Sequence, residues 1–235
     1  MNPSENLRMA QLLSGSQLFS TFPIEALNEL AAQAKIRHFH EKNVIFEKGE
    51  PGSEMFAILQ GRVKISSFSE NGKEVIFAIL ESGDFFGETS LLDGLPRSAS
   101  CVTLEDSQMI IIERQSFTRF LEKNPPLAIH LLSLLSQRLR SADAQMEGIS
   151  FFPFTARLAR KLLSLAADHG DVVNGKIEIA LNISQHELAN MIFVSRESVN
   201  KQLNQWVKEG VISLSPRLIV IHDKQRLQTI GKMPG

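Results

Sequence analysis

The stretch FGETSLLDGLPRSAS, residues 86–100, has neither the strict alternation of a strand nor the three-to-four repeat of a helix. It sets a carboxylate, Glu88, and a guanidinium, Arg97, nine residues apart around a short apolar turn. A carboxylate accepts from hydroxyls, and a guanidinium forks onto phosphate oxygens. The pair therefore suits a small ligand that carries both groups. The alternative is a structural Glu88–Arg97 ion pair. What the surrounding chain builds decides between them.

Outward from this stretch, residues 36–118 break into short segments rich in Val, Ile and Phe, such as NVIFEKG, EMFAILQGRVKISSFS, EVIFAIL and QMIIIER. Glycines from Gly49 to Gly94 punctuate them, and ENGKE (70–74) supplies an Asn-Gly hairpin turn. Many short strands with regular turns predict a small antiparallel sandwich or barrel. Before it, SENLRMAQLL and PIEALNELAAQA read as short helices, the second opened by Pro23.

After it, PPLAIHLLSLLSQRLRSADAQMEGIS (125–150) runs helical. Leu132, Leu135, Leu139, Ala142, Met146 and Ile149 recur at alternating spacings of three and four, an a/d seam. Such a seam fits a two-fold dimer contact, or a helix packed on its own β-domain. Pro153 in SFFPFTA interrupts the pattern and marks a hinge. TARLARKLLSLAADHG then predicts an amphipathic helix ending at Gly170. DHGDVVNG reads as a loop, IEIAL as a strand, VISLS and RLIVIHD as a last strand pair, and GKMPG as a frayed tail. The expected class is α+β, with a domain over 1–124, a joining helix and hinge over 125–151, and a second domain over 152–235.

The second domain carries its own logic in NISQHELANMIFVSRESVNKQLNQWVKEGVI (182–212). Ser184, followed three residues later by Glu187, is a capping box that opens one helix at Gln185. Ser195 opens the next, with Ser198, Val199, Leu203 and Val207 at helical spacing, and Leu188, Ile192, Val199 and Leu203 form a shared apolar seam. Two short helices across a tight turn make a helix-turn-helix, which reads the major groove with the start of its second helix. Here that start offers Arg196, Glu197, Ser198, Asn200 and Lys201. Arg forks onto guanine, Glu accepts from cytosine, and Lys reaches guanine or phosphate. The other reading is a solvated helix face; the following strand pair, as a wing, favours double-stranded DNA.

Charge agrees. Residues 1–150 hold 14 Lys and Arg against 19 Asp and Glu, while residues 151–235 hold 11 against 7, so a −5 part precedes a +4 part. A basic module suits a polyanion. Hydrophobic residues at 43% and charged residues at 22% predict an ordinary globular protein. No apolar run reaches the ~18–20 residues of a membrane span, and the polar start MNPSENLRMAQLL lacks a secretion signal, so a cytoplasmic protein without a membrane partner is expected. Cys101 is the single cysteine and cannot build a cluster, and it reads as a buried strand residue. His38 and His40 alternate on one strand face without a third ligand nearby, which favours a strand edge over a metal site. No phosphate-binding loop, Ser/His/Asp order or metal signature points to an enzyme.

Taken in order, these pieces resemble the bacterial catabolite-activator (CRP/FNR) family of transcription regulators over essentially the full length. VIFEKGEPGSEMFAILQGRVKIS is similar to the first signature of the family's β-roll, GDFFGETSLLDGLPRSAS to its phosphate-binding cassette, and SRESVNKQL to its recognition helix. The resemblance implies an N-terminal cyclic-nucleotide-binding β-roll (jelly-roll), a long dimerisation helix and a C-terminal winged helix-turn-helix. It further implies cAMP or cGMP as allosteric ligand and no metal. Gly87 would offer an N–H to the phosphate, Glu88 a carboxylate to the ribose 2′-hydroxyl, and Arg97 and Ser98 partners to the cyclic phosphate, with Thr89 beside them. Ser184, Gln185 and Ser195 would join the DNA-binding set. Arg196 and Glu197 would read the G·C pairs of a palindromic TGTGA-like site, and the protein would act as a homodimer, in many members by touching RNA polymerase near DHGDVVNG.

Three positions depart from the family pattern. Lys201 stands where the best-known members have a second Arg, which loses a bidentate fork. Ala142 and Asp143 stand where strict cAMP receptors offer Thr and Ser hydroxyls to adenine. Asp143 either faces water or takes guanine N1–H and N2–H₂ across the dimer, which would admit cGMP. The alternative to cyclic-nucleotide control is a regulator of the same family that answers another ligand, or binds DNA constitutively.

Overall fold

The computed structural model describes residues 3–180, 183–215 and 218–233. It divides into two compact units, Met1–Arg138 and Leu139–Gly235.

In the first unit, α1 (Pro3–Ser14) and α2 (Ile24–Ala31) precede β1 (Lys35–Phe39), β2 (Val44–Phe46), β3 (Glu54–Gln60), β4 (Val63–Phe68), β5 (Glu74–Leu80) and β6 (Phe85–Phe86). Then come α3 (Glu88–Asp93), β7 (Ser100–Thr103), β8 (Ser107–Glu113), α4 (Arg114–Lys123) and the start of α5 (Pro125–Phe151). The strands form two antiparallel four-stranded sheets, β1-β8-β3-β6 and β2-β7-β4-β5, the arrangement the strand pattern predicts.

The two-residue period explains why EMFAIL and QMIIIE look almost uniformly apolar. Phe56, Ile58, Met109 and Ile111 pack with Phe46, Val63 and Cys101 of the opposite sheet. Their alternates Met55, Ala57, Ile110 and Ile112 turn into a second core with Leu13, Phe19, Leu27, Phe117, Phe120 and Leu127 of the helices. Both faces of β3 and β8 are buried, so neither needs polar alternation. The ENGKE turn differs from expectation. The connection spans five residues, with Ser69 N–H donating to Lys73 O and Gly72 N–H to Ser69 O, and Gly72 alone takes a positive φ in it.

The second unit holds the remainder of α5, then α6 (Phe154–His169), β9 (Gly170–Val173), β10 (Lys176–Ile179), α7 (Gln185–Met191), α8 (Arg196–Lys208), β11 (Ile212–Ser215), β12 (Leu218–Ile221) and α9 (Lys224–Gly231). Pro153 is extended at φ −61° and ψ 156° and caps α6, so the helix breaks where the sequence predicts. Ala156, Leu158, Ala159, Leu162, Leu165 and Ala166 bury one face of α6.

Three readings are corrected here. DHGDVVNG is not a loop: β9 pairs with β10 across an Asn174-Gly175 turn with φ of 51° and 77°, both in the left-handed region a tight hairpin requires. The last strand pair is part of a four-stranded sheet, β11-β12-β10-β9. A further helix, α9, follows it, capped by Asp223 and anchored by buried Leu227, while the Arg160 guanidinium donates to Gly231 O. Leu181 of the IEIAL run, Arg217 of RLIVIHD, and Pro234 and Gly235 of the tail lie outside the described residues.

Candidate functional site

Arg97 is the centre of the first site. Its backbone is fixed first, by Arg97 N–H donating to Glu50 O and Gly49 N–H to Arg97 O. The side chain then runs into the β-roll and is 6% exposed. Nη1 donates to Gly87 O at 2.9 Å and Nη2 to Glu54 O at 2.8 Å, while the guanidinium carbon lies 4.2 Å from the Phe46 ring centroid. Nε is buried and has no partner among the described residues. Burial lowers the Arg97 pKa, opposed by Glu54, Cys101, Glu50 and Glu88. A guanidinium stays charged through such a shift. The cleft admits this side chain because Gly87 and Gly52 have none. At Gly87, φ is +80°, and a Cβ there would sit 2.8 Å from Arg97 Nη1; one on Gly52 would sit 2.8 Å from Nε.

Glu88, 4% exposed, does not pair with Arg97. Its Oε1 accepts from Arg138 Nη1 at 2.9 Å and from Thr89 Oγ1 at 3.3 Å, and Arg138 also donates to Phe85 O at 2.6 Å. The structural Glu88–Arg97 ion pair is thereby ruled out, since each group has other partners. Thr89 and Ser98 are exposed beside the two buried groups. Arg114 donates to Gly52 O and Ser90 O and ties α3 to the loop before β3. Burial raises the Cys101 thiol pKa strongly above its ordinary value, and the side chain is fully enclosed, as expected for a strand residue. Ala142 and Asp143 lie on the second unit's part of α5 and are exposed. Of the six seam positions, Leu132, Leu139, Ala142, Met146 and Ile149 are exposed, while Leu135 packs in part against the first unit's helical core.

The second site is built as the capping residues predict. Ser184 Oγ accepts from Glu187 N–H at 3.1 Å, and Glu187 Oε2 accepts from Ser184 N–H at 2.7 Å. Ser195 Oγ accepts from Ser198 N–H at 3.2 Å and starts α8. Between the helices, Phe193 takes φ 59° and Val194 N–H donates to Ala189 O, which makes the tight turn. Leu188, Ile192, Val199 and Leu203 are buried together. The last apolar position shifts: Trp206 is buried at 2%, whereas Val207 is exposed at 38%. Arg196, Glu197, Asn200 and Lys201 are exposed on α8, and Gln185 and Ser198 are half-buried.

Residues 36–124 match the model of the cyclic nucleotide-binding domain, and residues 156–230 match the Crp-like helix-turn-helix domain. The chain is 30% identical to the cyclic AMP receptor protein of Thermus thermophilus, over 93% of this chain and 98% of that one. It belongs to the CRP/FNR family. The CRP-like cAMP-activated global transcriptional regulator of Mycobacterium tuberculosis is 29% identical over the same shares. A solved CRP/FNR-family transcriptional regulator from Thermus thermophilus has the same fold, with a TM-score of 0.70 at 24% identity, covering 86% of this chain and all of that one. The protein is thus a CRP-family DNA-binding transcription regulator with a cyclic-nucleotide-binding domain. Its relatives are regulators, not enzymes.

Reading the sequence missed Glu54, Phe46 and Arg138 as members of the first site. Phe46 and Glu54 lie in the strand segments flanking Gly49 and Gly52, which the glycine spacing had already marked. Arg138 lies 50 residues from Glu88, and nothing local announces that contact. His38 meets the Gln108 amide at 3.2 Å, and His40 lies 3.6 Å from Asp106. Among the described residues, no three His, Cys, Asp or Glu side chains come together as a metal site, and no helix is long and apolar enough to cross a membrane.

Proposed function

We propose that this regulator is a cytoplasmic homodimer that binds cAMP or cGMP in each β-roll and, so loaded, a palindromic TGTGA-like site on duplex DNA. The observation that carries the nucleotide reading is Arg97, a buried guanidinium that meets two carbonyls but no carboxylate, with Nε left over. A cyclic phosphate supplies the missing anion. Gly87 N–H and Ser98 then complete the phosphate contacts, and Glu88, with Thr89 beside it, accepts the ribose 2′-hydroxyl. Thermal unfolding of the full chain with cAMP, cGMP and cyclic di-GMP tests this. A ligand at about 100 times its dissociation constant adds about 2.7 kcal/mol. No shift with any of the three leaves a CRP-family regulator that answers another ligand or none.

The exposed apolar stripe on α5 supports a second copy of the chain as its cover, since Leu132, Leu139 and Met146 are all more than 60% exposed. Across such a dimer Asp143 reads the base. A carboxylate accepts from guanine N1–H and N2–H₂ together but meets the adenine N1 lone pair unfavourably. The protein then takes cGMP at least comparably to cAMP. Titrating both into wild type and Asp143→Ser checks it: a roughly hundredfold cAMP preference in wild type, or an unchanged ratio in the variant, overturns Asp143 as selector.

On DNA, Arg196 and Glu197 read the G·C pairs, and Lys201 reads its pair less sharply than an Arg fork by about 1–3 kcal/mol at most. The β9–β10 hairpin, with Val172 exposed, is the surface offered to RNA polymerase. Selection from random duplexes that returned unrelated, non-palindromic sequences would remove the site assignment.

A further inference from the structure

The exposed face of α8 carries a row that the charged residues overshadow. Arg196, Asn200 and Asn204 follow one another at intervals of four, so they lie one above the next along the helix. All three are exposed, and the row runs beside Glu197 and Lys201. Within it, Asn200 Oδ1 accepts a hydrogen bond from Asn204 Nδ2 at 2.6 Å. That bond fixes the plane of the Asn200 amide and uses one lone pair of its oxygen. Both protons on Asn200 Nδ2 stay available, and so does the second lone pair on Oδ1.

An acceptor and a donor side by side in one plane match a single base edge. In the major groove adenine presents N7, an acceptor, next to the N6 amino donor, whereas guanine presents two acceptors there. An asparagine amide meets adenine with two bonds and guanine with one. Arg196 and Lys201 only donate, so they favour guanine and cannot select adenine.

We propose that Asn200 reads an adenine in each half-site and that Asn204 is the positioning residue that holds its amide for that contact. The proposal rests on α8 entering the major groove, as in the function proposed above. It assigns a reader to one A·T pair of the TGTGA-like arm, beside the G·C pairs assigned to Arg196 and Glu197. A free asparagine loses rotamer freedom when it meets a base; here the neighbour one turn on has already restricted it.

The test is selection from a randomised duplex pool by the full-length protein, run separately with cAMP, with cGMP and without nucleotide. Wild type, Asn200→Ala and Asn204→Ala are compared. Wild type is expected to return a palindrome in which one A·T pair per arm is favoured about tenfold or more. Asn200→Ala should lose that preference and keep the G·C positions. Asn204→Ala should weaken the same position several-fold and leave the others alone, whereas a purely structural surface bond would lower only the unfolding temperature. Survival of every A·T preference in Asn200→Ala, or a uniform loss at every position, overturns the base contact. An unchanged preference in Asn204→Ala overturns the positioning role. A wild-type site with G·C anchors but no favoured A·T pair overturns this inference and the TGTGA-like arm, and leaves the G·C contacts standing. Failure of wild type to select any sequence under all three conditions overturns the DNA reading and the inference with it.

Discussion

Arg97 and the start of α8 both present positive charge, and they do so in opposite ways. Arg97 is buried among Phe46, Phe56 and two backbone carbonyls, and its charge has left water before any ligand arrives. Arg196 and Lys201 stay in solvent on a helix whose other face is anchored by Val199, Leu203 and Trp206. The buried charge has a fixed geometry, so it suits one small anion. The exposed charges keep their hydration until contact and suit a long polyanion met at many points. The dehydration of Arg97 is part of the folding free energy, and that of α8 is part of the binding free energy.

Salt should separate the two regions most widely. If α8 and its surroundings make the six to ten phosphate contacts usual for specific binding, DNA affinity should fall about 10³-fold or more between 50 and 200 mM salt. Nucleotide affinity, measured by calorimetry over the same range, should change by only about threefold, because a buried pair is weakly screened. Equal slopes would break the contrast.

A smaller effect, still large, is expected from Arg97→Ala. Loss of the buried partner should weaken nucleotide binding by at least about a hundredfold and abolish the proposed nucleotide-dependent DNA binding, while the chain stays folded. Arg97→Lys sharpens the point, because it keeps the charge without the fork and should fall between the two. Full nucleotide response in Arg97→Ala would remove Arg97 from the site.

The smallest effect concerns the exposed region alone. Ser184→Ala removes the hydroxyl half of the capping box at the start of α7, leaves the backbone N–H to Glu187 Oε2, and should cost about 1 kcal/mol. For a unit of this size that is a fall of about 4–8 °C in its unfolding midpoint by calorimetry. Nucleotide affinity should not move. A shift in nucleotide affinity would mean that the two regions are not energetically separate.

Local chemistry decided how much of this was legible beforehand. Glu187 three residues after Ser184, and Ser198 after Ser195, fixed two helix starts because capping is a contact between near neighbours. Arg97 was legible as a cation in an apolar turn, but its partners were not: Glu54 lies 43 residues away in sequence. Hence the Glu88–Arg97 pair weighed as an alternative gives way to Glu88–Arg138. Trp206 displaced Val207 because the two lie on adjoining edges of one helix face, and the choice between them depends on what packs there. The β9 strand was hidden by its length of four residues, although Asn174-Gly175 was the same signal read in ENGKE. For α9, only Leu227 and Ile230 mark an apolar side, too few to set a period.

Cys101 lies on β7, four residues past Arg97, and is fully enclosed. Its thiol is held protonated by burial, and the thiolate is the form that attacks peroxides and disulfides. The chain's single sulfhydryl is enclosed and protonated in the folded state. Oxidants in the surrounding medium therefore meet no exposed thiol on this β-roll. A Cys101→Ser chain should take the same nucleotide and the same DNA under reducing and oxidising buffers alike, and so should the wild type.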